Sequence, residues 1–275
     1  MIGAIIGDIA GSIYEFKNIK TKDFPLFSPA CTFTDDSLMT IAVGSALMKT
    51  RARNQVLASV IVSEMQRIGR AYPHPMGSYG GGFAAWLQSS NPEPYNSWGN
   101  GSAMRVSACG EAAGSLDEAL SLAEISAAVT HNHPEGVKGA QAVAAAIFLL
   151  RHGVGRDDLR AYIEQNFYPL NRTLDQIRPT YTFDGSCQGT VPQAFTVFFE
   201  STSFEDALRS AVSLGGDTDT LTAITCSIAW PYYERLGPDE IMLALATLAV
   251  KRLPDDLRRI VIDWEKRVSL APKPL

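Results

Sequence analysis

The chain has 275 residues, and 46% of them are hydrophobic, which is enough for a substantial core. The formal net charge is −5 and no basic run is present, which argues against a broad surface for nucleic acids or anionic membranes. The first ten residues are apolar but include Asp8, lack a basic start and are too short to span a bilayer. We therefore expect neither a signal peptide nor a transmembrane segment.

The four cysteines are widely separated, with no Cys-x-x-Cys pair and no companion histidine at zinc spacing. This distribution favours unpaired thiols in a reducing, cytoplasmic setting. Because the sequence shows no obvious exposed apolar stripe, a monomer is the default expectation.

Helical periodicity dominates the chain, and long alternating strand patterns are absent. The periodicity predicts helices near residues 2–12, 37–49, 54–69, 104–112, 116–128, 135–152, 157–165, 192–200, 204–212, 220–233, 238–250 and 254–267. Two long irregular segments, 70–103 and 167–191, interrupt them, and such loops in a compact domain are usually functional. Neither resembles a linker, so we expect a single compact all-α domain over residues 1–275.

Glycine recurs every fourth residue in the first predicted helix, at Gly3, Gly7 and Gly11. Small residues at this spacing let a second helix approach closely. The pattern therefore predicts that this helix packs tightly inside the core, with Asp8 in a structural polar contact.

Two acidic clusters stand where irregular segments run into helix-like stretches: Thr34-Asp35-Asp36 and Asp217-Thr218-Asp219-Thr220. Carboxylate and hydroxyl oxygens are hard donors, so a site built from them favours Mg²⁺, Mn²⁺ or Ca²⁺ over zinc. Each cluster alone is equally well explained as a helix N-cap with acidic residues in the first turn. Their repetition, and a Gly215-Gly216 pair that permits close backbone approach, favour a metal site where the two clusters meet.

Five segments carry side chains suited to chemistry. They are Ile6–Phe16, Phe33–Asp36, Ser97–Arg105, Thr130–Pro134 and Gly215–Thr220. In this order they strongly resemble the ADP-ribosylglycohydrolase family, and the resemblance extends from about residue 2 to about residue 235. One such motif alone is weakly specific, whereas all five in register are highly specific, and Thr190–Ala194 adds a further family-like helix start.

The resemblance implies an orthogonal multi-helix bundle that holds two divalent cations, Mg²⁺ or Mn²⁺, at the bottom of a cleft. The implied ligands belong to the two acidic clusters: Thr34, Asp35, Asp36, Asp217, Asp219 and Thr220. Donor chemistry leads to the same assignment, because oxygen donors that converge from two helix starts can bridge a pair of hard cations.

The implied substrate is ADP-ribose joined to an acceptor by a glycosidic bond. Cleavage there passes through an oxocarbenium-like transition state, which nearby carboxylates stabilise. Asp35 or Asp36 would orient or deprotonate the attacking water. Glu15 matches a glutamate that gates or assists catalysis in some members, and its alternative is a surface carboxylate at a helix end.

The resemblance also implies which residues hold the nucleotide. The run suited to the diphosphate, through its backbone amides, is Ser97, Trp98, Gly99, Asn100, Gly101 and Ser102. Trp98 would stack on adenine or ribose, or else plug the loop against the core. His133 matches a histidine at the nucleotide end in relatives, and its alternative is a packing residue.

Four neighbouring features remain open. His131 and the run Tyr79–Gly82 are candidate pocket walls, and Arg105 either contacts phosphate or pairs with a carboxylate. Many relatives follow the second acidic cluster with Asn-Gly, where this chain has Leu221-Thr222. The bulkier pair is expected to reshape the pocket beside the second metal.

We predict a dinuclear-metal hydrolase that releases ADP-ribose from a modified acceptor. ADP-ribosyl-arginine is the traditional substrate class of the family, and serine-linked, polymeric and nucleic-acid-linked ADP-ribose compete with it. The first alternative is a binding protein that holds ADP-ribose without cleaving it. A second alternative is a metal-dependent phosphohydrolase, which would release AMP instead.

Overall fold

The computed structural model describes residues 1–269, so residues 270–275 of the predicted domain lie outside the described part. The described residues form fifteen α-helices and no β-strand, which confirms the predicted all-α class. The helices are α1 (Ile2–Gly11), α2 (Asp35–Lys49), α3 (Gln55–Ala71), α4 (Gly81–Gln88), α5 (Gly101–Met104), α6 (Ser107–Ala112), α7 (Leu116–Ala128), α8 (Pro134–Arg151), α9 (Arg156–Asn166), α10 (Leu174–Ile177), α11 (Cys187–Glu200), α12 (Phe204–Leu214), α13 (Thr218–Leu236), α14 (Glu240–Arg252) and α15 (Asp255–Ser269). A short 3₁₀-helix, Ser12–Tyr14, follows α1 directly.

Two short helices lie inside the segments predicted to be irregular. Helix α4 begins within the Gly80–Gly82 run and has no side-chain cap, so nothing in the sequence marks its start. Helix α10 is a single turn, closed by Gln176, whose Oε1 accepts a hydrogen bond from the amide of Thr173 at 3.0 Å. A helix of four residues is too short for apolar periodicity to reveal.

Two other helix boundaries differ from the predicted ones. Helix α11 begins at Cys187 rather than at Pro192, because the hydroxyl of Ser186 caps it by accepting from the amide of Gly189 at 3.1 Å. Pro192 therefore lies inside the helix and does not mark its start. The predicted helix 104–112 is instead two helices, α5 and α6, with Arg105 and Val106 between them.

Helix α1 lies against α13 at the centre of the fold, and all ten of its residues are buried. A Cβ atom at Gly7 would lie 2.2 Å from the carbonyl oxygen of Thr222, and one at Gly11 would lie 2.6 Å from the Cα of Asp219. Only glycine permits this separation, so the predicted tight packing of the first helix is confirmed. The contact brings the chain that follows α1 beside the start of α13.

Helix α2 begins at the same end of the bundle. The side chain of Thr34 caps it by accepting from the amide of Asp36 at 3.2 Å. Twelve of its residues are buried, from Asp36 to Leu47, which is why its sequence is apolar on every face. The starts of α2 and α13 therefore face each other across a common space.

Two predictions from composition can be compared directly with the fold. The four cysteines are buried and unpaired, as predicted. Among residues 1–269, no helix combines the length and the apolar character needed to cross a membrane.

Candidate metal centre and active-site cleft

An open cleft of about 460 Å³ lies over the starts of α2 and α13. Its floor is formed by Thr220 and by five carboxylates, which we call the acidic cluster: Glu15, Asp35, Asp36, Asp217 and Asp219. Its walls and mouth come mainly from loops: Phe16, Gly77–Phe83, Tyr95, Ser97, Gly99–Gly101, Met104, Arg105, His131, Phe183 and Gly185. The two segments predicted to be functional loops thus both contribute to one cleft.

The two acidic motifs meet at the floor. The hydroxyl of Thr220 donates to Oδ2 of Asp36 at 3.1 Å, although 184 residues separate them in the chain. Both side chains are buried, and each lies in the first turn of its helix. Five of the six predicted metal ligands line the cleft, and the sixth, Thr34, lies buried beneath it.

Asp8 fixes the first motif from below. Its carboxylate accepts hydrogen bonds from the amide and the hydroxyl of Thr34 at 2.9 and 2.7 Å. It also accepts from the amide of Ser37 at 3.0 Å and from the hydroxyl of the same residue. Burial raises the pKa of Asp8 to about 6 even though these donors favour the anion. Asp8 is therefore a structural acceptor, as predicted, and it holds the Thr34 hydroxyl in one orientation.

The carboxylate oxygens are close enough to share a cation. Oxygens of Asp8, Asp36 and Asp219 lie within 4.8 Å of one another, and so do oxygens of Glu15, Asp217 and Asp219. Oδ1 of Asp36 and Oε2 of Glu15 are buried without a hydrogen-bond partner within the described residues. Buried acceptors of this kind need a donor or a cation, and hard oxygen donors suit Mg²⁺, Mn²⁺ or Ca²⁺.

The direction of the pKa shifts indicates that negative charge on the acidic cluster is unfavourable when no positive charge lies nearby. Burial, followed by repulsion from neighbouring carboxylates, raises the pKa of Asp35, Asp36 and Asp219 well above its ordinary value. Burial also raises the pKa of Asp217, although the side-chain amide of Asn100 donates to its Oδ2 at 2.8 Å. Bound protons or cations would relieve this repulsion.

Glu15 stands at the rim of the floor, half-buried, just after the 3₁₀-helix. Burial, then repulsion from Asp217 and Asp8, raises the pKa of Glu15 to about 7. Gly77 lies against it with φ of +80°, and a Cβ there would be 2.6 Å from Oε2 of Glu15. The carboxylate therefore faces the cleft and is enclosed on one side by the 77–83 loop.

Four residues of the predicted diphosphate run line the cleft: Ser97, Gly99, Asn100 and Gly101. The loop is held by its own amides, since Asn100 N donates to the Gly185 carbonyl at 2.8 Å and Gly99 N to the Ser97 hydroxyl at 3.1 Å. These two amides are already used and cannot also serve a ligand in this conformation.

The other three predicted nucleotide contacts lie outside the cleft lining. Trp98 is about half exposed and packs edge-on against His133, with ring centroids 5.4 Å apart. His133 caps α8 by accepting from the amide of Glu135 at 3.1 Å. The hydroxyl of Ser102 donates to the carbonyl of Gly136 at 2.7 Å in the interior. Each of these side chains is engaged in packing or capping rather than in lining the cleft.

His131 lines the cleft, as its assignment to a pocket wall predicted. Its Nδ1 lies 2.6 Å from the hydroxyl of Thr130, and its ring packs near that of Tyr95. Burial, and to a lesser degree the positive charge of Arg105, lowers the pKa of His131 to about 2. His131 is therefore neutral throughout the physiological range and can serve as a hydrogen-bonding wall but not as a cation.

Arg105 is a buried part of the same wall. Its guanidinium donates to the carbonyls of Gly101 and Ser126 at 3.2 and 2.8 Å and to the hydroxyl of Thr130 at 2.8 Å. These acceptors are all uncharged, so the carboxylate pair offered as its alternative does not form among residues 1–269. Burial lowers the pKa of Arg105 to about 10, which leaves it charged at neutral pH.

Several lining residues carried no signal in the sequence. Phe83, Tyr95 and Phe183 come from loops or short elements whose course depends on distant contacts. Tyr95, for example, is placed by a hydrogen bond from its amide to the carbonyl of Thr130, 35 residues along the chain. An isolated aromatic residue in a loop is common, so no local pattern could have selected these three.

The departure Leu221-Thr222 does not reach the cleft. Both side chains are fully buried and neither lines the pocket, because the turn of α13 that carries them faces α1. The pair therefore makes no direct contact with the pocket, and its expected effect on the pocket's shape stays a prediction.

Comparison with known proteins places the chain in a family. Residues 1–233 match the family described as ADP-ribosylglycohydrolase, which confirms the resemblance inferred from the motifs. The chain belongs to this family. Membership supports the hydrolysis of ADP-ribose linkages and a glycosyl hydrolase activity.

Individual relatives are distant but extend over most of the chain. The protein called ADP-ribosylhydrolase ARH3 in Xenopus tropicalis is 23% identical and covers 88% of this chain and 87% of its own length. The Homo sapiens protein of the same name is 25% identical, covering 88% and 85%. Among solved structures, one described as an ADP-ribosylglycohydrolase-related protein complex has a TM-score of 0.70 at 20% identity and covers 97% of both chains. That likeness establishes the fold.

Proposed function

We propose that the protein uses two divalent cations to hydrolyse the glycosidic bond between ADP-ribose and a modified acceptor, releasing ADP-ribose. The observation that carries this proposal is the meeting of two acidic motifs at the floor of one cleft, with Asp36 and Thr220 only 3.1 Å apart. Carboxylates gathered this closely repel one another unless a cation lies among them.

The residues proposed to hold Mg²⁺ or Mn²⁺ belong to the two motifs: Thr34, Asp35, Asp36, Asp217, Asp219 and Thr220. The buried, unpartnered Oδ1 of Asp36 supports this assignment, since a cation would satisfy it. So does the upward pKa shift of the buried aspartates, which a nearby positive charge would reverse. When bound, the cations would fix substrate hydroxyls and make water more acidic.

Proton transfer is assigned to Glu15, with Asp35 or Asp36 orienting or deprotonating the attacking water. Glu15 stands at the rim, and its oxygens lie within 4.8 Å of those of Asp217 and Asp219, so its carboxylate can accept a proton from water at the floor and return it to the leaving group. As anions, the floor aspartates also stabilise the positive charge that develops on the sugar.

The polarity of the cleft supports a nucleotide substrate. Carboxylates occupy the floor, whereas the wall that contains Ser97, Gly99 and Gly101 also contains the buried positive charge of Arg105. This arrangement suits a ligand with an anionic diphosphate against the wall and ribose hydroxyls at the floor. A cleft of about 460 Å³ lies within the range typical of small-molecule sites. For Trp98 and His133, contact with the nucleotide requires their rings to turn toward the cleft.

The acceptor would lie at the mouth, beside Glu15. Two exposed aromatic rings, Phe16 and Phe183, line the cleft there, and the floor beneath them is anionic. Aromatic faces and carboxylates together favour a cationic group such as a guanidinium. ADP-ribosyl-arginine is therefore the first substrate to test, followed by serine-linked and nucleic-acid-linked ADP-ribose.

A product assay by mass spectrometry tests this function. The protein would be incubated with each ADP-ribosylated substrate in Mg²⁺, in Mn²⁺ and in EDTA. Metal-dependent release of intact ADP-ribose supports the proposal, and the substrate that yields it identifies the linkage. Release of AMP would indicate phosphohydrolase chemistry instead. Tight ADP-ribose binding without any product would contradict catalysis and indicate a binding protein.

A further inference from the structure

The carboxylate of Glu15 has little regular structure to hold it in place. The chain leaves the 3₁₀-helix at Tyr14 and has no helix again until α2 begins at Asp35. Phe16 and Lys17, which follow Glu15, are exposed. Some other contact must therefore keep Glu15 beside Asp217 and Asp219, within the 4.8 Å that joins their oxygens.

The side-chain amide of Asn18 makes that contact. Its Nδ2 donates to the carbonyls of Tyr14 and Glu15 at 2.7 and 2.9 Å, which fixes the backbone on both sides of the Glu15 amide. The same side chain reaches across to the turn before α13. There its Oδ1 accepts from the amide of Gly216 at 2.7 Å, and its Nδ2 lies 3.0 Å from the carbonyl of Gly216.

The glycine pair of the second acidic motif is shaped around this side chain. Gly215 and Gly216 have φ of +71° and +76°, values that other residues rarely adopt. A Cβ at Gly215 would lie 3.0 Å from Oδ1 of Asn18, and one at Gly216 would lie 2.6 Å from the ring of Tyr181. The double glycine therefore approaches other parts of the protein, Asn18 at Gly215 and Tyr181 at Gly216.

Further hydrogen bonds join the segment after Glu15 to the turn between α12 and α13. The ammonium of Lys20 donates to the carbonyl of Tyr181 at 2.7 Å and to the carbonyl of Leu214 at the end of α12. The hydroxyl of Thr218 donates to the carbonyl of Tyr14 at 3.3 Å. The segment after Glu15 is thus hydrogen-bonded to the turn between α12 and α13. Asn18 contacts both the backbone of Glu15 and that turn.

We propose that Asn18 is a positioning residue that holds Glu15 in place relative to Asp217 and Asp219. Asn18 touches neither the cleft nor any reacting atom, so it acts only through the residues it holds. Its catalytic consequence depends on the proposed function, whereas its effect on the geometry of the acidic cluster does not. Supporting residues of this kind typically change metal affinity or activity about 10- to 100-fold.

The first readout is the binding of Mn²⁺ alone, which needs no substrate. We expect Asn18→Ala to weaken Mn²⁺ affinity about 10-fold by electron paramagnetic resonance titration, with an unchanged helical spectrum. Asn18→Leu keeps a similar size without adding charge but loses both the donors and the acceptor, so it should weaken Mn²⁺ binding as well. Asn171→Ala removes an exposed asparagine outside the cleft and should leave the affinity unchanged. Wild-type affinity in both Asn18 variants would overturn the proposal.

The second readout separates positioning from general destabilisation. With the substrate that the product assay identifies, Asn18→Ala should lower kcat about 10-fold or more while KM changes less than about threefold. The same change made in Glu15→Gln should cost much less, because the residue that Asn18 holds has already lost its charge. An equal loss in both backgrounds would contradict a role through Glu15. If the wild type binds Mn²⁺ but cleaves nothing, the proposed function fails and the Mn²⁺ titrations still decide the role of Asn18.

Discussion

The hydroxyl of Thr220 donates to the buried carboxylate of Asp36 at 3.1 Å, and this bond joins the starts of α2 and α13. Each helix start would have been explained alone as an ordinary N-terminus with acidic residues in its first turn. An ordinary N-terminus does not require such a bond, which holds two acidic helix starts face to face without an ion pair to Asp36 or Asp219 within the described residues. The proposed cations would supply the positive charge that this junction lacks.

Removing the hydroxyl of Thr220 tests this junction directly. Thr220→Val keeps the side-chain shape but removes the shorter of the two hydroxyl hydrogen bonds to Oδ2 of Asp36, together with one candidate metal ligand. We expect Mn²⁺ affinity and turnover to fall about 10- to 100-fold, with little change in the unfolding temperature. Calorimetric titration with Mn²⁺ and the ADP-ribose release assay measure the two effects.

Helix α13 offers a matched control two residues further on. Thr222 is also fully buried, but its hydroxyl has no hydrogen-bond partner within residues 1–269. Thr222→Val should therefore leave metal binding intact and change stability by less than about 1 kcal/mol, in the stabilising direction. Equal losses in the two variants would mean that the valine substitution, and not the Asp36 contact, is responsible.

Neutralising one floor carboxylate should stabilise the metal-free protein. Burial and repulsion raise the pKa of Asp219, so its charge opposes folding when no cation is present. We expect Asp219→Asn to gain about 1–2 kcal/mol of unfolding free energy in EDTA and to lose the stabilisation that Mn²⁺ gives the wild type. Thermal unfolding with and without Mn²⁺ measures both, and Asp263→Asn, at an exposed site, serves as the control. A less stable metal-free Asp219→Asn would show that repulsion does not dominate the floor.

Glu15→Gln should separate catalysis from binding. The substitution keeps the size of the side chain and the Asn18 contacts to the backbone, but it removes the proton acceptor. We expect turnover to fall about 10²- to 10⁴-fold, the range for loss of a general acid–base group. The dissociation constant for ADP-ribose should change no more than severalfold. Equal losses in turnover and affinity would make Glu15 a binding residue instead.

The acidic floor could be predicted from the sequence because its carboxylate residues occur in two short contiguous motifs. Asp35, Asp36, Asp217 and Asp219 each stand in a motif that marks a helix start, and two such motifs suffice to predict a meeting point. The long helices were predicted for the same reason, since their periodicity is local.

The rest of the site depends on contacts between distant segments. In the sequence, Asn18 has no feature that distinguishes it from other loop residues. Only the fold brings it into contact with Gly216, which is 198 positions away. Trp98 and His133 show the converse: their motif predicted contact with the nucleotide, whereas the structure packs their two rings together. A motif fixes which residues are near a site, but side-chain packing fixes which of them face it.

Outside the cleft, Glu64 gives a prediction about acid stability. Burial alone would raise its pKa, but hydrogen bonds from Arg67, Lys49 and Ser45 outweigh it and lower the pKa of Glu64 to about 2. The unfolded chain therefore binds a proton at Glu64 more readily than the folded protein does. The stabilisation is complete above the ordinary pKa of 4.5 and is lost as the pH falls toward 2.

Glu64→Gln should accordingly destabilise the protein at pH 7 by about 1–3 kcal/mol, the range for hydrogen bonds to charged groups. The difference from wild type should shrink steadily below pH 4.5, because the wild-type carboxylate is then protonated on unfolding. Urea unfolding at a series of pH values measures this, with Glu124→Gln at an exposed site expected to stay within about 0.5 kcal/mol throughout. A destabilisation that did not depend on pH would show that Glu64 acts through packing. The contribution of side-chain shape does not change with protonation, whereas the hydrogen bonds from Arg67, Lys49 and Ser45 favour the charged carboxylate and therefore do depend on pH.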